Sequence, residues 1–357
     1  MFKIAVCPGD GIGPEVIRQA LKIVRRVGEV FHLVFEVEEC LIGGSSIDQT
    51  GKPICSETEK IVQNSDAVLL GAVGGTQWDH LDIALRPERG LLAIRKLLHV
   101  YSNLRPVRIF PSLTANSPLR EEIIRNVNLV IVRELISGIY FGEPKGIENL
   151  PGGQRRGFST MSYTTEEVER IARQAFDLAR RRKKKVTSVD KANVLDVSRL
   201  WRETVNQVHQ SYSDIQLEHR YIDECAMRLV KSPSEFDVVL TGNMFGDILS
   251  DEAAILAGSL GMLPSASLGE SIALYEPVHG SAPDIAGEDK ANPIAAILCV
   301  AMMLENSFNL TDLSLVVERA VEDTLNDGYR TADIHQVGSD LVGCDKMGDL
   351  IASKIHQ

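Results

Sequence analysis

The chain has 357 residues, of which 44% are hydrophobic and 24% are charged, a composition typical of a globular protein with more than one core. Its formal net charge of −11 argues against non-specific nucleic-acid binding, which depends on basic surface. The uninterrupted apolar stretch 294–304 is shorter than the roughly 20 residues that cross a bilayer. We therefore expect a soluble, cytoplasmic protein with two domains and no membrane or nucleic-acid partner.

Short apolar runs alternate with longer helical patterns, which predicts an α/β architecture. The strand candidates in chain order are 4–7, 67–70, 129–132, 186–189, 238–241 and 273–275. The clearest helix follows Tyr163, because Thr164 and Glu167 have the spacing of a capping box. The basic run 180–185 should end that helix, where cations complement the helix dipole.

The first strand leads into a glycine-rich segment, Pro8-Gly-Asp-Gly-Ile-Gly-Pro-Glu15. A Rossmann fingerprint would need a glycine at position 14, which is Pro14, and proline suits the first turn of a helix. The sequence therefore argues against a classical Rossmann fold. Residues 143–163 are rich in glycine and proline and too long for an ordinary connection, so they are mobile, functional, or an arm that pairs with a partner chain.

Several charged side chains follow the predicted strands or lie near the ends of elements. Arg133 ends an apolar strand, where a guanidinium would be costly unless it meets a carboxylate or a ligand. Arg95 and Arg105 could be surface charges, or all three arginines could converge on a polycarboxylate. Lys191 could act as a general base, although a surface lysine is the simpler interpretation, and Tyr140 alone is more typical of a core.

Asp247 and Asp251 follow the predicted strand and a glycine-punctuated loop at 242–246. Four residues apart on a helix, they could share a divalent cation, or Asp247 could be a helix N-cap. Asp223 could supply a third carboxylate. Oxygen ligands without histidine or cysteine favour Mg²⁺ or Mn²⁺, and the six scattered cysteines show no zinc or disulfide pattern.

Near the C-terminal third, a loop rich in small residues runs from Tyr275 to Gly287 and continues to Asn292. Its acid, Asp284, could accept hydrogen bonds from a ribose diol, as in NAD recognition.

Together these segments resemble the β-decarboxylating dehydrogenases, the isocitrate and isopropylmalate dehydrogenase family. The most specific matches are 243–251 and 279–287, while 133–142 and 188–195 are most similar to the isopropylmalate branch. The resemblance implies a two-lobed α/β fold of that family with a discontinuous first domain. Residues 1–100 and 257–357 would bind the cofactor, 101–256 would bind substrate and metal and form the dimer, and 143–163 would be an arm between subunits.

The resemblance also implies roles for individual residues. Three arginines would bind the substrate's two carboxylates: Arg95, Arg105 and Arg133. Three aspartates would hold Mg²⁺ or Mn²⁺, the first also contacting substrate: Asp223, Asp247 and Asp251. Lys191 would be the base and Tyr140 the acid, with Lys191 and Asp223 supplied by the neighbouring subunit of a homodimer.

Specificity would follow from the helix before Arg95 and from the small-residue loop. Glu88 would lie near the nicotinamide, and Leu91, Leu92 and Val194 would form an apolar pocket, although the leucines could instead be core. The residues expected to bind NAD are Gly75, Glu88, Gly280, Ser281, Ala282, Pro283, Asp284, Ile285 and Asn292. NAD is expected rather than NADP because Asp284 would repel a 2′-phosphate.

The implied reaction is NAD-dependent oxidative decarboxylation of 3-isopropylmalate to 4-methyl-2-oxopentanoate and CO₂, a step of leucine biosynthesis. Alternatives are oxidation of malate, tartrate or homoisocitrate on the same fold, a non-catalytic Mg²⁺-binding protein, or a metal-dependent hydrolase. The chain departs from the family pattern at Ile136-Ser137 and at Thr76-Gln77, neither of which removes a catalytic group.

Overall fold

A computed structural model describes all residues, 1–357. The strands, numbered along the chain, are β1 (Phe2–Gly9), β2 (Phe35–Glu39), β3 (Ala67–Ala72), β4 (Ser102–Arg108), β5 (Asn128–Glu134), β6 (Gly146–Asn149), β7 (Arg155–Phe158), β8 (Lys185–Asp190), β9 (Gln216–Tyr221), β10 (Val238–Thr241), β11 (Pro264–Leu268), β12 (Ala273–Pro277), β13 (Tyr329–Arg330) and β14 (Asp340–Leu341).

The α-helices, numbered in the same way, are α1 (Gly13–Phe31), α2 (Gly44–Thr50), α3 (Ser56–Gln63), α4 (Glu88–Leu97), α5 (Glu121–Ile124), α6 (Thr165–Arg180), α7 (Asp196–His209), α8 (Ile222–Lys231), α9 (Asn243–Ala254), α10 (Ile294–Asn306), α11 (Thr311–Asn326) and α12 (Cys344–Ser353). Short 3₁₀ turns lie at Thr76–Trp78, Ile83–Leu85, Pro111–Asn116, Gly138–Tyr140, Pro151–Gly153, Pro233–Glu235, Ile255–Ala257, Leu260–Met262 and Ala332–Ile334.

The chain forms two compact units, the first from residues 1–100, 109–121 and 257–357 and the second from 101–108 and 122–256. The expected boundaries place 109–121 in the second lobe, but this segment belongs to the first unit. Arg330 Nη2 donates to the carbonyl of Ser112 at 2.9 Å, and the Gln336 amide donates to Asn116. These contacts attach the segment to the C-terminal part of the chain.

In the first unit, the strand order is β2-β1-β3-β12-β11, with β11 antiparallel to β12 and the others parallel. β3 and β12 are buried along their whole length, as expected for strands covered on both faces. Helix α10 accounts for the apolar stretch 294–304, because nearly all of these residues are buried in the fold. No helix in the structure has the length and apolar character needed to span a membrane.

In the second unit, the order is β4-β5-β10-β8-β9, with β4 antiparallel to β5 and the remaining strands parallel. The carboxyl ends of β5, β10, β8 and β9 therefore lie on one edge, where α/β enzymes place their chemistry. The prediction of a loop at 242–246 is wrong, because α9 begins at Asn243, directly after Gly242. Asp247 consequently lies inside the helix, which excludes its alternative role as N-cap.

The expected strands are all present, and the segment 143–163 contains the antiparallel hairpin β6–β7. The helix predicted after Tyr163 is α6, and its capping box is confirmed: Thr164 Oγ1 accepts from the Glu167 amide at 3.3 Å, and the Glu167 carboxylate accepts from the Thr164 amide at 2.7 Å. Helix α6 ends at Arg180, within the basic run, as expected.

The capping box should contribute measurably to stability. Thr164→Ala removes the side-chain acceptor for the Glu167 amide and is expected to lower the free energy of unfolding by about 1 kcal/mol. Thr311→Ala is a matched control, because Thr311 begins α11 without a side-chain capping bond. Urea denaturation of both variants checks the prediction, and equal losses would contradict it.

Candidate active site

Asp247, on α9, is the centre of a charged cluster in the second unit. One carboxylate oxygen, Oδ1, forms an ion pair with Arg133 Nη1 and lies 3.7 Å from Arg105 Nη2. The other, Oδ2, accepts a hydrogen bond from the Tyr140 hydroxyl at 2.9 Å. The Asp247 carboxylate is thus surrounded by two guanidinium groups, of Arg105 and Arg133, and by the hydroxyl of Tyr140, all three of which are predicted site residues.

Asp251 lies one helical turn beyond Asp247 and shares Arg105 with it. Arg105 Nη1 donates to Asp251 at 3.3 Å and to the Ser250 hydroxyl at 2.7 Å. Burial, together with the nearby charge of Asp247, raises the pKa of Asp251, although Arg105 opposes that effect. Two carboxylates on one helical face form a donor set of hard oxygens that fits Mg²⁺ or Mn²⁺.

The two arginines reach this cluster from different strands. Arg133 is the penultimate residue of β5 and is buried, so its predicted need for a carboxylate is met by Asp247. Arg105 lies in the middle of β4 rather than near the end of an element, and its side chain reaches Ser250 and Asp251 on α9.

Tyr140 ends the 3₁₀ turn Gly138–Tyr140 that follows β5, and its ring lies 5.8 Å from the Arg133 guanidinium carbon. The alternative that it belongs to the core is wrong, since 44% of the residue is exposed. Burial of part of the ring and donation to Asp247 raise the pKa of Tyr140. The hydroxyl therefore keeps its proton at neutral pH, as a general acid requires.

Lys191 and Asp223 form a separate pair in the second unit. Lys191 directly follows β8 and Asp223 lies in the first turn of α8, after β9. Their charged groups form an ion pair, which lowers the pKa of Asp223. No group of three histidine, cysteine or acidic side chains in the chain is arranged to hold a metal ion, so one copy does not assemble the three-aspartate site.

In the first unit, Asp10 joins the loops that carry the predicted cofactor residues. Its carboxylate accepts hydrogen bonds from the backbone amides of Gly44 and Ser45, both at 2.8 Å, and of Gly74 at 2.9 Å. The neighbouring Ile12 amide donates to the carbonyl of Ser281 at 2.8 Å. The glycine-rich loop after β1 thus holds together three other segments of this unit.

The small-residue loop presents an accessible surface on which its polar groups remain available. Gly280 and Pro283 are exposed, Ala282 and Ile285 are half-buried, and the exposed Asp284 carboxylate makes no hydrogen bond within the chain. Nε2 of His279 is buried without a hydrogen-bond partner, and burial lowers the pKa of this histidine. An unused acceptor and an orphaned ring nitrogen fit a nucleotide with a ribose diol.

Asn292, by contrast, is engaged within the fold. Its carbonyl oxygen accepts from the Ile294 amide at the start of α10, at 3.0 Å, and its amide donates to Asp333 at 3.0 Å. Glu88 begins α4 and is exposed, while Gly75 precedes the turn at Thr76–Trp78. Binding roles for these residues stay predictions.

Helix α4 carries the residues expected to select the substrate. Leu91 and Leu92 are half-buried, whereas Gly90 and Ile94 form the buried face of the helix, so the alternative that both leucines are core is disfavoured. Arg95, on the same helix, donates to Glu276 at 2.6 Å. Arg95 and Val194 belong to different units, and Val194 is 63% exposed.

Comparison with known proteins identifies the family. Residues 3–351 match the isocitrate/isopropylmalate dehydrogenase family. A 3-isopropylmalate dehydrogenase of Aquifex aeolicus is 55% identical over 100% of this chain and 98% of its own length, and one of Clostridium pasteurianum is 53% identical over 99% of both. The crystal structure of isocitrate dehydrogenase from Methylococcus capsulatus is 34% identical with a TM-score of 0.88, covering 100% of both chains.

The chain belongs to this family. The expected fold class is therefore confirmed, including the departure from a classical Rossmann fold. Three residues that the sequence does not single out as site residues contact the candidate site residues or their loops: Asp10, Asn243 and Glu276. An acid between two glycines after a strand could have drawn attention to Asp10, but no pattern revealed that Asn243 and Glu276 contact arginines distant in sequence.

A buried carboxyl group supports the turn that precedes Tyr140. Glu134, fully buried at the end of β5, accepts hydrogen bonds from the Ser137 amide at 2.9 Å and from Arg170 at 3.3 Å. Burial outweighs these contacts and raises the pKa of Glu134 to about 7. Ser137, at one of the departures from the family pattern, donates its hydroxyl to Glu167 at 2.5 Å, so it adds a link between this turn and α6.

Stability should respond to the protonation of Glu134. Its folded-state pKa of about 7 exceeds the unfolded value of ~4.3, so the folded chain binds this proton more tightly. Ionisation of Glu134 is thus expected to lower the free energy of unfolding as pH rises between these values, by on the order of 3 kcal/mol. Urea titrations from pH 4 to 8 should show a shallower decline for Glu134→Gln than for wild type; parallel curves would contradict this.

Proposed function

We propose that the chain catalyses the NAD-dependent oxidative decarboxylation of 3-isopropylmalate to 4-methyl-2-oxopentanoate and CO₂, a step of leucine biosynthesis. The observation that carries the proposal is near-full-length identity of 51–55% to proteins named 3-isopropylmalate dehydrogenase. The cluster around Asp247 supports it, because it combines cations for carboxylates with a protonated tyrosine.

Arg105 and Arg133 are the proposed substrate ligands in the second unit, and Arg95 is the proposed ligand in the first. Guanidinium groups bind carboxylates through paired, charge-assisted hydrogen bonds, and a 2-hydroxy diacid offers two carboxylates. In the structure these arginines are neutralised by Asp247, Asp251 and Glu276. These ion pairs fix the guanidinium groups at defined positions, which would lower the cost of orienting the substrate.

Proton transfer is assigned to Lys191 and Tyr140. Lys191, as the neutral amine, would accept the proton of the substrate hydroxyl as the adjacent carbon is oxidised, and its contact with Asp223 holds the side-chain nitrogen near the end of β8. Tyr140 would then protonate the carbon that loses CO₂. Its raised pKa favours the protonated hydroxyl, which must be present before the transfer.

A divalent metal and NAD complete the chemistry. Asp223, Asp247 and Asp251 would hold Mg²⁺ or Mn²⁺, which supplies a Lewis acid for the negative charge that develops on the substrate oxygen. NAD would be held by the residues around Asp284 and accept the hydride. The carboxylate of Asp284 would receive both ribose hydroxyls and repel a 2′-phosphate, which favours NAD over NADP.

A homodimer is proposed as the working form. Each chain places Asp247 with Asp251 and, separately, Lys191 with Asp223, so a second copy would supply the missing groups to each site. Exposed apolar side chains on the adjacent helices α8 and α9, Met227 at 65% and Ile248 at 55%, support an interface there.

A cytoplasmic location is proposed as well. The six cysteines form no disulfide bond, which suits the reducing cytoplasm.

Isocitrate is the second candidate substrate, because the structural neighbour from Methylococcus capsulatus is named isocitrate dehydrogenase. Its third carboxylate would have to face an apolar surface if Leu91 and Leu92 contact the substituent. Burying an unpaired carboxylate there would be strongly unfavourable, whereas an isopropyl group would be stabilised. Malate, tartrate and homoisocitrate remain alternatives of the same reaction class.

Steady-state assays test this proposal directly. Initial rates of NAD reduction with 3-isopropylmalate should exceed those with malate, tartrate, homoisocitrate or isocitrate. A chelator should abolish the rate and added Mg²⁺ or Mn²⁺ should restore it. Lys191→Met and Asp247→Asn should each lower kcat by at least about 100-fold.

Matched controls are Lys183→Met and Asp177→Asn, which make the same chemical changes at exposed positions of the second unit. Their rates should stay within about twofold of wild type, as expected for surface substitutions. Faster turnover of another substrate than of 3-isopropylmalate would overturn the substrate assignment.

Cofactor preference provides an independent test. Asp284→Asn removes the charge proposed to repel a 2′-phosphate and should raise the ratio of kcat/KM for NADP over NAD about tenfold, since 1.4 kcal/mol of lost repulsion corresponds to that factor. Glu288→Gln makes the same change in charge at a carboxylate that pairs with Lys290 at 2.6 Å. A larger change in that control than at Asp284 would refute the assignment.

A further inference from the structure

We propose that Asn243 is a positioning residue that sets both Arg133 and the turn carrying Tyr140. The inference rests on the proposed function, in which Arg133 binds a substrate carboxylate and Tyr140 donates a proton. Asn243 is the first residue of α9 and is completely buried. It stands one helical turn before Asp247, on the side of the cluster away from solvent.

One end of the Asn243 side chain holds the guanidinium. Its carbonyl oxygen Oδ1 accepts from Arg133 Nη2 at 2.7 Å and from Arg133 Nε at 3.0 Å. Two hydrogen bonds to the same planar group fix its rotation as well as its position. The remaining terminal nitrogen, Nη1, is thereby directed to the Asp247 carboxylate.

The other end holds the backbone before Tyr140. The amide nitrogen Nδ2 donates to the carbonyl oxygens of Leu135 and Ser137, both at 2.9 Å. These two residues flank the bend by which the chain leaves β5 and enters the turn at Gly138–Tyr140. The buried side-chain amide of Asn243 therefore links Arg133, which would bind a substrate carboxylate, to the segment that carries Tyr140, the proposed proton donor.

Tyr163 also contacts Asn243 and restricts the turn before Tyr140. Its hydroxyl accepts the backbone N–H of Asn243 at 2.7 Å and occupies the space where side chains on Gly138 and Gly242 would stand, 2.2 Å and 2.8 Å from their ideal Cβ positions. Gly138 also has a φ of +78°, which disfavours other residues. The turn thus has little freedom to relax if the contacts of Asn243 are lost.

The chemistry of the site requires an amide. An acceptor must face the guanidinium and a double donor must face two carbonyl oxygens, and among side chains of this length only asparagine provides both. Aspartate has nearly the same shape but offers acceptors only. It would keep the contacts to Arg133 while opposing the two carbonyls, and leucine would lose both sets.

The variants Asn243→Asp and Asn243→Leu distinguish the contact of Asn243 with Arg133 from its contact with the turn before Tyr140. We expect Asn243→Asp to lower kcat about tenfold or more while changing KM for 3-isopropylmalate less than about threefold, because only the turn is released. Asn243→Leu should lower kcat similarly and also raise that KM about tenfold or more, with KM for NAD changed less than about twofold. Thr241→Val is the control, since it removes a buried hydrogen bond to the Val189 carbonyl on the same strand-to-helix connection.

Hydrogen exchange of the 134–141 segment gives a readout that needs no substrate. The amides of this segment should exchange faster in both Asn243 variants than in wild type. In Thr241→Val their exchange rates should be unchanged, even if its thermal unfolding midpoint falls as much as that of the Asn243 variants. Unchanged exchange, or kinetics in Asn243→Leu like those of Thr241→Val, would overturn the proposal. If wild type fails to oxidise 3-isopropylmalate, the proposed function falls, and exchange alone decides whether Asn243 holds the turn.

Discussion

The negative charge of Asp247 is the constraint on which the second unit's site depends. A carboxylate on α9, only 34% exposed at its side chain, is stabilised by Arg133 from β5 and Arg105 from β4 and accepts a hydrogen bond from the Tyr140 hydroxyl. Without those partners a half-buried charge would be costly. These contacts bring together β4, β5 and the turn at Gly138–Tyr140. The pairing that stabilises the charge of Asp247 is therefore also the pairing that assembles the site.

This dependence also explains why the helix starts where it does. Because α9 follows β10 after a single glycine, Asn243 reaches beneath the guanidinium and Asp247 reaches beside it, one turn further along. A loop between strand and helix, as the glycines suggested, would have left both side chains on flexible backbone. Precise placement in a site comes from rigid elements and from neighbours that restrict rotamers.

Much of this arrangement could be predicted from the sequence. The apolar strands follow from their composition and α6 from its capping box, while the candidate site residues follow from motifs similar to a known family and their roles stay predictions. What could not be predicted are contacts between residues far apart in sequence. The hydrogen bonds of Asn243 to Arg133, of Asp10 to three loop amides, and of residues 109–121 to Arg330 and Gln336 depend on how the strands are ordered, and no local pattern encodes that order.

The distribution of charge within one chain has a consequence for how catalysis would be controlled. Arg133 and Arg105 form ion pairs with Asp247 and Asp251, so under the proposed function a diacid would have to compete with these internal carboxylates for the arginines. A divalent cation would reverse that balance, since it would take over the aspartates and release the guanidinium groups for the substrate. Under that proposal metal and substrate would bind cooperatively, because the metal would occupy the two aspartates and the substrate would occupy the two arginines, which otherwise pair with those aspartates.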